Sequence, residues 1–341
     1  MKNATTSILI TAIGVIIAGA VAPVLGISCN STQTQMTQAA ATQRVQVNAA
    51  ALNNIGLGYA REGKYDDAIK AFKEAIKIQP NFAYVYFNLG ILYNLVKRYE
   101  EAIQSFTVAI QLSPDYEEAY RNLGNALVSS GANTAAIQPL LKAAELNPHC
   151  GQTYNDLGFA RFNLREYNKA LESFRQAAAL EPESAEIQFN LGNTLMTLKQ
   201  YEAAFVCYQE VIRLRPDWAD AQEHFGDAAA SALHFDAAAQ AYLQVTRVRP
   251  DYAEGFGKLG LIYAQLQRYG DAIRAFERAV QEKPNHASAH YNLGMLYYYL
   301  NKRQFANEQV RQLDSIDARL ARELLDDMNS NKVVKLDRLR P

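Results

Sequence analysis

Between residues 49 and 313 the apolar positions recur at helical spacing, in paired runs. In the first pair Leu52, Ile55, Gly56 and Tyr59 share one face, and Ala68, Phe72 and Ala75 share another. Gly63 and Lys64 lie between the two runs and predict a turn. Pro80 closes the second run, because proline lacks the backbone N–H that a continuing helix needs. The pattern then repeats. Pro80, Pro114, Pro148, Pro182, Pro216, Pro250 and Pro284 are each 34 residues apart and account for seven of the ten prolines. Gly56, Gly90, Gly124, Gly158, Gly192, Gly226, Gly260 and Gly294 share the period, as do Ala68, Ala102, Ala136, Ala170, Ala204, Ala238, Ala272 and Ala306. The spacing predicts eight helix–turn–helix units, starting at 49, 83, 117, 151, 185, 219, 253 and 287. A glycine in the first helix (A) and an alanine in the second (B) let the two axes approach closely.

Repeat 2 carries Tyr86, Leu89, Gly90, Tyr93, Ala102, Phe106, Ala109 and Pro114. This set resembles the tetratricopeptide repeat family, and the likeness extends over residues 49 to about 313. The resemblance implies an all-α, right-handed superhelical solenoid whose concave face is lined mainly by the A helices. Some repeats depart from the pattern. Repeat 3 has Leu140 where most repeats have an aromatic, and Pro139 stands inside its helix B, where a kink or local weakening is expected. Repeat 6 is alanine-rich from Ala228 to Ala232. Repeat 8 has Val310 at the aromatic position and no closing proline. Beyond it, Leu320, Leu324 and Met328 predict a capping helix within 314–329, ahead of a basic tail at 330–341.

The N-terminal segment has a different pattern. Ile8 to Ser28 contains no charge and eleven Val, Ile or Leu residues, which favour a bilayer by about 3–6 kcal/mol before the glycines and threonines are counted. As a helix this stretch reaches about 31 Å, enough to cross the hydrocarbon core. Lys2 precedes it, and the next charge is Arg44, so positive-inside bias puts the repeats outside the cytoplasm. Three fates of residues 1–28 stay open: a single-span anchor, a signal peptide cleaved near Ala18-Gly19-Ala20, or lipidation at Cys29. The stretch Leu25 to Cys29 resembles a bacterial lipobox except at Gly26. Residues 29–48, rich in Gln, Thr and Ala, read as a flexible linker.

Lys+Arg total 34 and Asp+Glu 35 in 341 residues, a balance that favours neither nucleic acid nor an acidic surface as partner. Cys29, Cys150 and Cys207 form no metal spacing and no even disulfide set.

Helix-A positions spaced three or four apart are the expected partner-binding surface. One position carries Asn54, Asn88, Asn122, Asn190 and Asn292, with Asp156, His224 and Lys258 in the other repeats. Such a ladder can pair with the backbone of an extended peptide. It resembles the asparagines of the peptide-binding repeats of O-GlcNAc transferase; asparagine as a mere consensus residue is the alternative. Phe87, Phe159 and Phe189 interleave with the ladder, together with Tyr84, Phe162, Tyr291, Tyr298 and Tyr299. Arg121 and Asn125 could begin the carboxylate clamp of chaperone-binding members. The clamp is rejected, because the following repeats offer Asp156 and Glu186, whose charges repel a carboxylate. Glu186, Asp220, Glu223, Asp227 and Glu254 concentrate negative charge in repeats 5 to 7, opposed by Lys258 and His224, which predicts a locally basic peptide.

Asp220, Glu223, His224 and Asp227 share one helical face, but a single helix cannot close a metal's coordination sphere. His286 and His290 lack a third ligand. No phosphate loop, nucleophile elbow or metalloprotease motif occurs. The expectation is therefore a non-catalytic protein–protein interaction module, with no cofactor, metal, nucleic acid or small-molecule substrate. It would be tethered to a membrane through its N-terminal segment. The alternative is a structural subunit of an envelope assembly that uses the convex face.

Overall fold

A computed structural model describes residues 48–329 of the chain. The expected anchor, linker and basic tail lie outside the described residues. Two compact units divide at Pro80. The first contains α1 (48–61) and α2 (Tyr65–Ile78). The second begins with α3 (Ala83–Leu95), α4 (Tyr99–Leu112), α5 (Glu117–Ser129), α6 (Asn133–Leu146), α7 (Gly151–Asn163) and α8 (Tyr167–Leu180). It continues through α9 (Ala185–Thr197), α10 (Tyr201–Leu214), α11 (Ala219–Ser231), α12 (Phe235–Val248), α13 (Ala253–Gln265) and α14 (Tyr269–Glu282). It ends with α15 (Ala287–Tyr299), α16 (Arg303–Ile316) and α17 (Ala318–Asn329). No strand occurs among the described residues. Odd-numbered helices through α15 are the A helices and even-numbered ones the B helices.

Each A–B pair closes on the periodic glycine. A Cβ at Gly90 would stand 2.7 Å from Phe106 Cε1, and one at Gly192 would stand 2.9 Å from Tyr208 Cε1. In repeat 3 the partner of Gly124 is Leu140, at 2.4 Å, so an aliphatic side chain fills the aromatic place. Pro139 does not end its helix: α6 runs through it from Asn133 to Leu146. In repeat 8 the partner comes from elsewhere. A Cβ at Gly294 would stand 2.6 Å from Leu324 Cδ2, so α17 supplies the bulk that Val310 lacks. Asp317 starts α17 by accepting the backbone N–H groups of Arg319 and Leu320, both at 3.0 Å.

All eight A helices end alike. Gly63, Lys97, Gly131, Arg165, Lys199, Leu233, Gln267 and Asn301 have φ between 58° and 88°. The next residue donates its N–H back into helix A, as Arg98 does to the Tyr93 carbonyl at 2.8 Å, which is a Schellman ending. Glycine is the usual choice for this conformation, yet the chain uses it only twice.

In the second unit each B helix also packs on the A helix that follows it. In repeats 2 to 5 the A helices approach one another directly, α3 to α5, α5 to α7 and α7 to α9, whereas successive B helices do not pair comparably. The stack is therefore tighter on its A side there. Among the described residues no helix is long and apolar enough to cross a membrane.

Candidate functional site

The A-helix side carries the expected ladder, but the stack uses several of its rungs internally. Asn88, Asn190 and Asn292 are buried. The Asn190 amide donates to Asn155 Oδ1 of the preceding repeat at 3.0 Å. Asn122 donates to the Glu118 carbonyl of its own helix at 2.7 Å, and Asn54 is exposed. Asn125 Oδ1 accepts from Asn94 Nδ2 at 3.2 Å, which links repeats 2 and 3. A uniform row of free amides is thus not what the fold presents, because in repeats 2 to 5 neighbouring A helices approach closely enough to cover such side chains. Asp156 is the buried exception in charge. Its Oδ1 accepts from Gln152 Nε2 at 2.9 Å. Burial pushes its carboxyl up to about 6, a rise that the Arg121 guanidinium only partly offsets. Arg121 also lies 3.6 Å from Glu117.

The aromatics divide by surroundings. Phe87 is core, its ring 4.8 Å from Tyr116 and 5.9 Å from Phe106. Tyr291 is core as well, donating its hydroxyl to Asp327 of α17 at 2.5 Å. Phe189 is half-buried among Trp218, His224 and Tyr208, at 4.6, 5.1 and 5.7 Å. Phe159 and Tyr299 are the exposed ones, at 43% and 44%.

The acidic stretch is not left unopposed. Lys258 Nζ lies 3.0 Å from Glu223 Oε1 and 2.7 Å from Asp227 Oδ1. Tyr252 donates to Glu223 at 2.8 Å and Tyr242 to Asp227 at 2.6 Å. Arg249 reaches Glu223 at 3.3 Å and Asp220 at 3.5 Å. Burial works against the Glu223 carboxylate, yet the bonds from Lys258 and Tyr252 hold it below the usual range. Burial likewise disfavours the Lys258 ammonium, and Asp227 and Glu223 nevertheless hold it above its ordinary value. Glu254 pairs with Lys283 at 2.7 Å, and burial raises the Glu186 carboxyl against the opposing charge of Arg215. The expected excess of negative charge is therefore largely neutralised within the fold. His224 packs edge-on to Phe189 and stacks on Tyr208. His290 has both ring nitrogens engaged, by Gln309 at 2.8 Å and the Pro284 carbonyl at 3.0 Å. Among the described residues no group of three or more potential ligands is close enough to hold a metal. Cys150 and Cys207 are half-buried free thiols, and burial raises that of Cys207 to about 11.

Sequence profiles described as TPR repeat match residues 56–95, 97–131 and 161–199. Profiles described as tetratricopeptide repeat match 185–217, 223–287 and 258–304. Together they span more than half of the chain. The chain is a tetratricopeptide repeat protein. Among solved structures it is similar to YrrB, described as a TPR protein with an unusual peptide-binding site. The identity is 25% over 58% of this chain and 97% of that one, with a TM-score of 0.51. It is also similar in fold to PilF of Pseudomonas aeruginosa, at 20% identity over 66% and 98% of the two chains and a TM-score of 0.55. The C-terminal part of a TPR protein from Cytophaga hutchinsonii matches at 17% identity over 69% and 97%, with a TM-score of 0.58. No curated protein matches the chain.

In this TPR protein the residue before the repeat proline reaches back 29 positions to the start of its own helix A in repeats 4, 6 and 7. Glu181 accepts from the Gln152 N–H at 3.1 Å, Arg249 meets Asp220, and Lys283 meets Glu254. Sequence reasoning missed these partners. Their signal is the basic run Arg215, Arg249 and Lys283 at the repeat period, with an acid 29 residues before each.

Proposed function

We propose that the protein is an interaction module that holds an extended segment of a partner protein along its A-helix face. The observation that carries this reading is the direct approach of successive A helices in repeats 2 to 5. It sets the A helices of successive repeats side by side, with Phe159 as an exposed anchor. The likeness to YrrB supports the reading through that protein's peptide-binding site. Because Lys258, Arg249 and Lys283 already compensate the acids, a basic partner is not required. The reading assigns the module no chemistry of its own. It places the array outside the cytoplasm, tethered through the apolar segment Ile8 to Ser28.

A second reading, a scaffold contacted on the B-helix side, draws on the exposed Val206 and Val248, at 57% and 62%. Selection of phage-displayed random peptides on residues 47–330 separates the two. Under the groove reading, Phe159→Ala with Asn122→Ala weakens the selected peptides, whereas Val206→Asp does not. The reverse pattern supports the scaffold, and failure to select any peptide removes the groove reading. For the tether, a reporter active only outside the cytoplasm, fused after residue 46, is expected to be active.

A further inference from the structure

Helix α13 contains a glycine that the fold does not require. Gly260 is demanded by Phe276, whose ring would lie 2.8 Å from an added Cβ. Gly257 is different. The nearest atom to a Cβ there is His286 Nε2 at 3.5 Å, an ordinary contact, and its backbone is helical. A glycine inside a helix costs about 1 kcal/mol relative to alanine, so neither packing nor conformation accounts for it. In other repeats Phe87, Arg121, Phe189 and Tyr291 occupy this position. What Gly257 leaves is a pocket of about 120 Å³ between α13 and α15, floored by Phe276 and walled by Ala289. Its exposed wall is almost wholly apolar.

One polar group faces that space unsatisfied. His286 caps α15, its Nδ1 accepting the Ala289 N–H at 3.4 Å, so the ring proton is on Nε2. Nε2 is buried and has no hydrogen-bond partner. Burial also lowers the imidazole's basicity, against the pull of Glu254, which favours the neutral ring. A buried donor without an acceptor is costly, and a ligand carbonyl relieves that cost. The charged rim offers nothing comparable: Lys258 is taken by Asp227 and Glu223, and Glu254 by Lys283. An apolar cavity of about 150 Å³ holds benzene, so this slightly smaller one suits an aliphatic side chain.

We propose that this pocket is a subsite for one Leu, Ile, Val or Met side chain of the bound segment, whose adjacent backbone carbonyl accepts from His286 Nε2. The proposal rests on the A-helix face being the binding surface. It is tested with N-acetyl-leucine methylamide as probe and N-acetyl-alanine methylamide as control, added to the purified full chain labelled with ¹⁵N in histidine. The leucine probe is expected to shift the His286 ring resonances at concentrations where the alanine probe does not. Gly257→Leu fills the pocket and abolishes the effect. Gly257→Ala, whose Cβ fits, leaves the fold intact and weakens it. His286→Asp keeps an acceptor for the Ala289 N–H but has no N–H to donate, and weakens probe binding about tenfold, read there by saturation transfer to the probe's methyl resonances. No shift with the leucine probe, or undiminished binding in both Gly257 variants, overturns the subsite. If selected peptides bind wild type and Gly257→Leu equally, the subsite falls and the groove reading stands. If the probe binds but no peptide is selected, the groove reading falls instead.

Discussion

Asp156→Asn is expected to stabilise the protein at neutral pH. The folded state raises this carboxyl from 3.8 to about 6, chiefly because it is buried. Two pH units at 1.36 kcal/mol each make the charged form about 3 kcal/mol less stable in the fold than its neutral form. The sign follows from proton binding. Between pH 3.8 and about 6 the folded state holds more protons than the unfolded state, so stability falls as pH rises through that window. Asparagine mimics the neutral form and can still accept from Gln152. It gives up the attraction of Arg121, which leaves that guanidinium only Glu117, 3.6 Å away. The net gain is therefore set at about 1–3 kcal/mol at pH 7.5, shrinking to zero below pH 4. Urea unfolding of fragment 47–330, followed by circular dichroism from pH 4 to 8, measures it; other titrating groups cancel in the difference between variants. A variant less stable than wild type at pH 7.5, or a difference that does not vary with pH, refutes the reasoning. Arg121 would then outweigh burial.

Gly192→Leu places side-chain bulk where Tyr208 already stands 2.9 Å from a Cβ, and is expected to cost at least about 1–3 kcal/mol in the same unfolding assay. Unchanged melting would mean that the assigned repeat phase is wrong. Leu233→Gly relieves a left-handed residue, φ 65°, that is 72% exposed, and should raise the unfolding free energy by about 0.5–1 kcal/mol in the same assay. Lys258→Met strips Glu223 and Asp227 of their shared cation and should destabilise by about 1–3 kcal/mol at neutral pH. That loss should fade in acid, because the depressed Glu223 group contributes its stability above the usual carboxylate pKa and loses it as pH falls. Leu324→Ala should cost about 2–5 kcal/mol by opening a void beside Gly294, measured as early unfolding of α15 to α17 by hydrogen exchange.

The repeat phase was legible because it rests on contacts within one unit. Gly90 and Phe106 are 16 residues apart, and the pair recurs down the chain. Exposure was less legible, because it depends on how one unit lies on the next. Asn190 and Asn122 hold the same place in their repeats, yet one is covered and bonded to Asn155 while the other is partly open. Charge was misjudged for a related reason. Arg249 is one residue from Pro250, just past the end of helix B, and only the return of the chain brings it back to Asp220 and Glu223. The pocket at Gly257 was invisible in sequence, since a helical glycine there looks like any other weak helix former.

The way Leu324 fills the space over Gly294 limits how the array can lengthen. An interior repeat brings its own large side chain for its glycine, an aromatic or, in repeat 3, Leu140, so a copied interior unit arrives complete. Repeat 8 has Val310 and depends on α17 for the missing bulk. A copy of repeat 8 placed after the original would separate α17 from it and leave one glycine uncovered. A copied interior repeat thus lengthens the array without loss, whereas a copied repeat 8 does not.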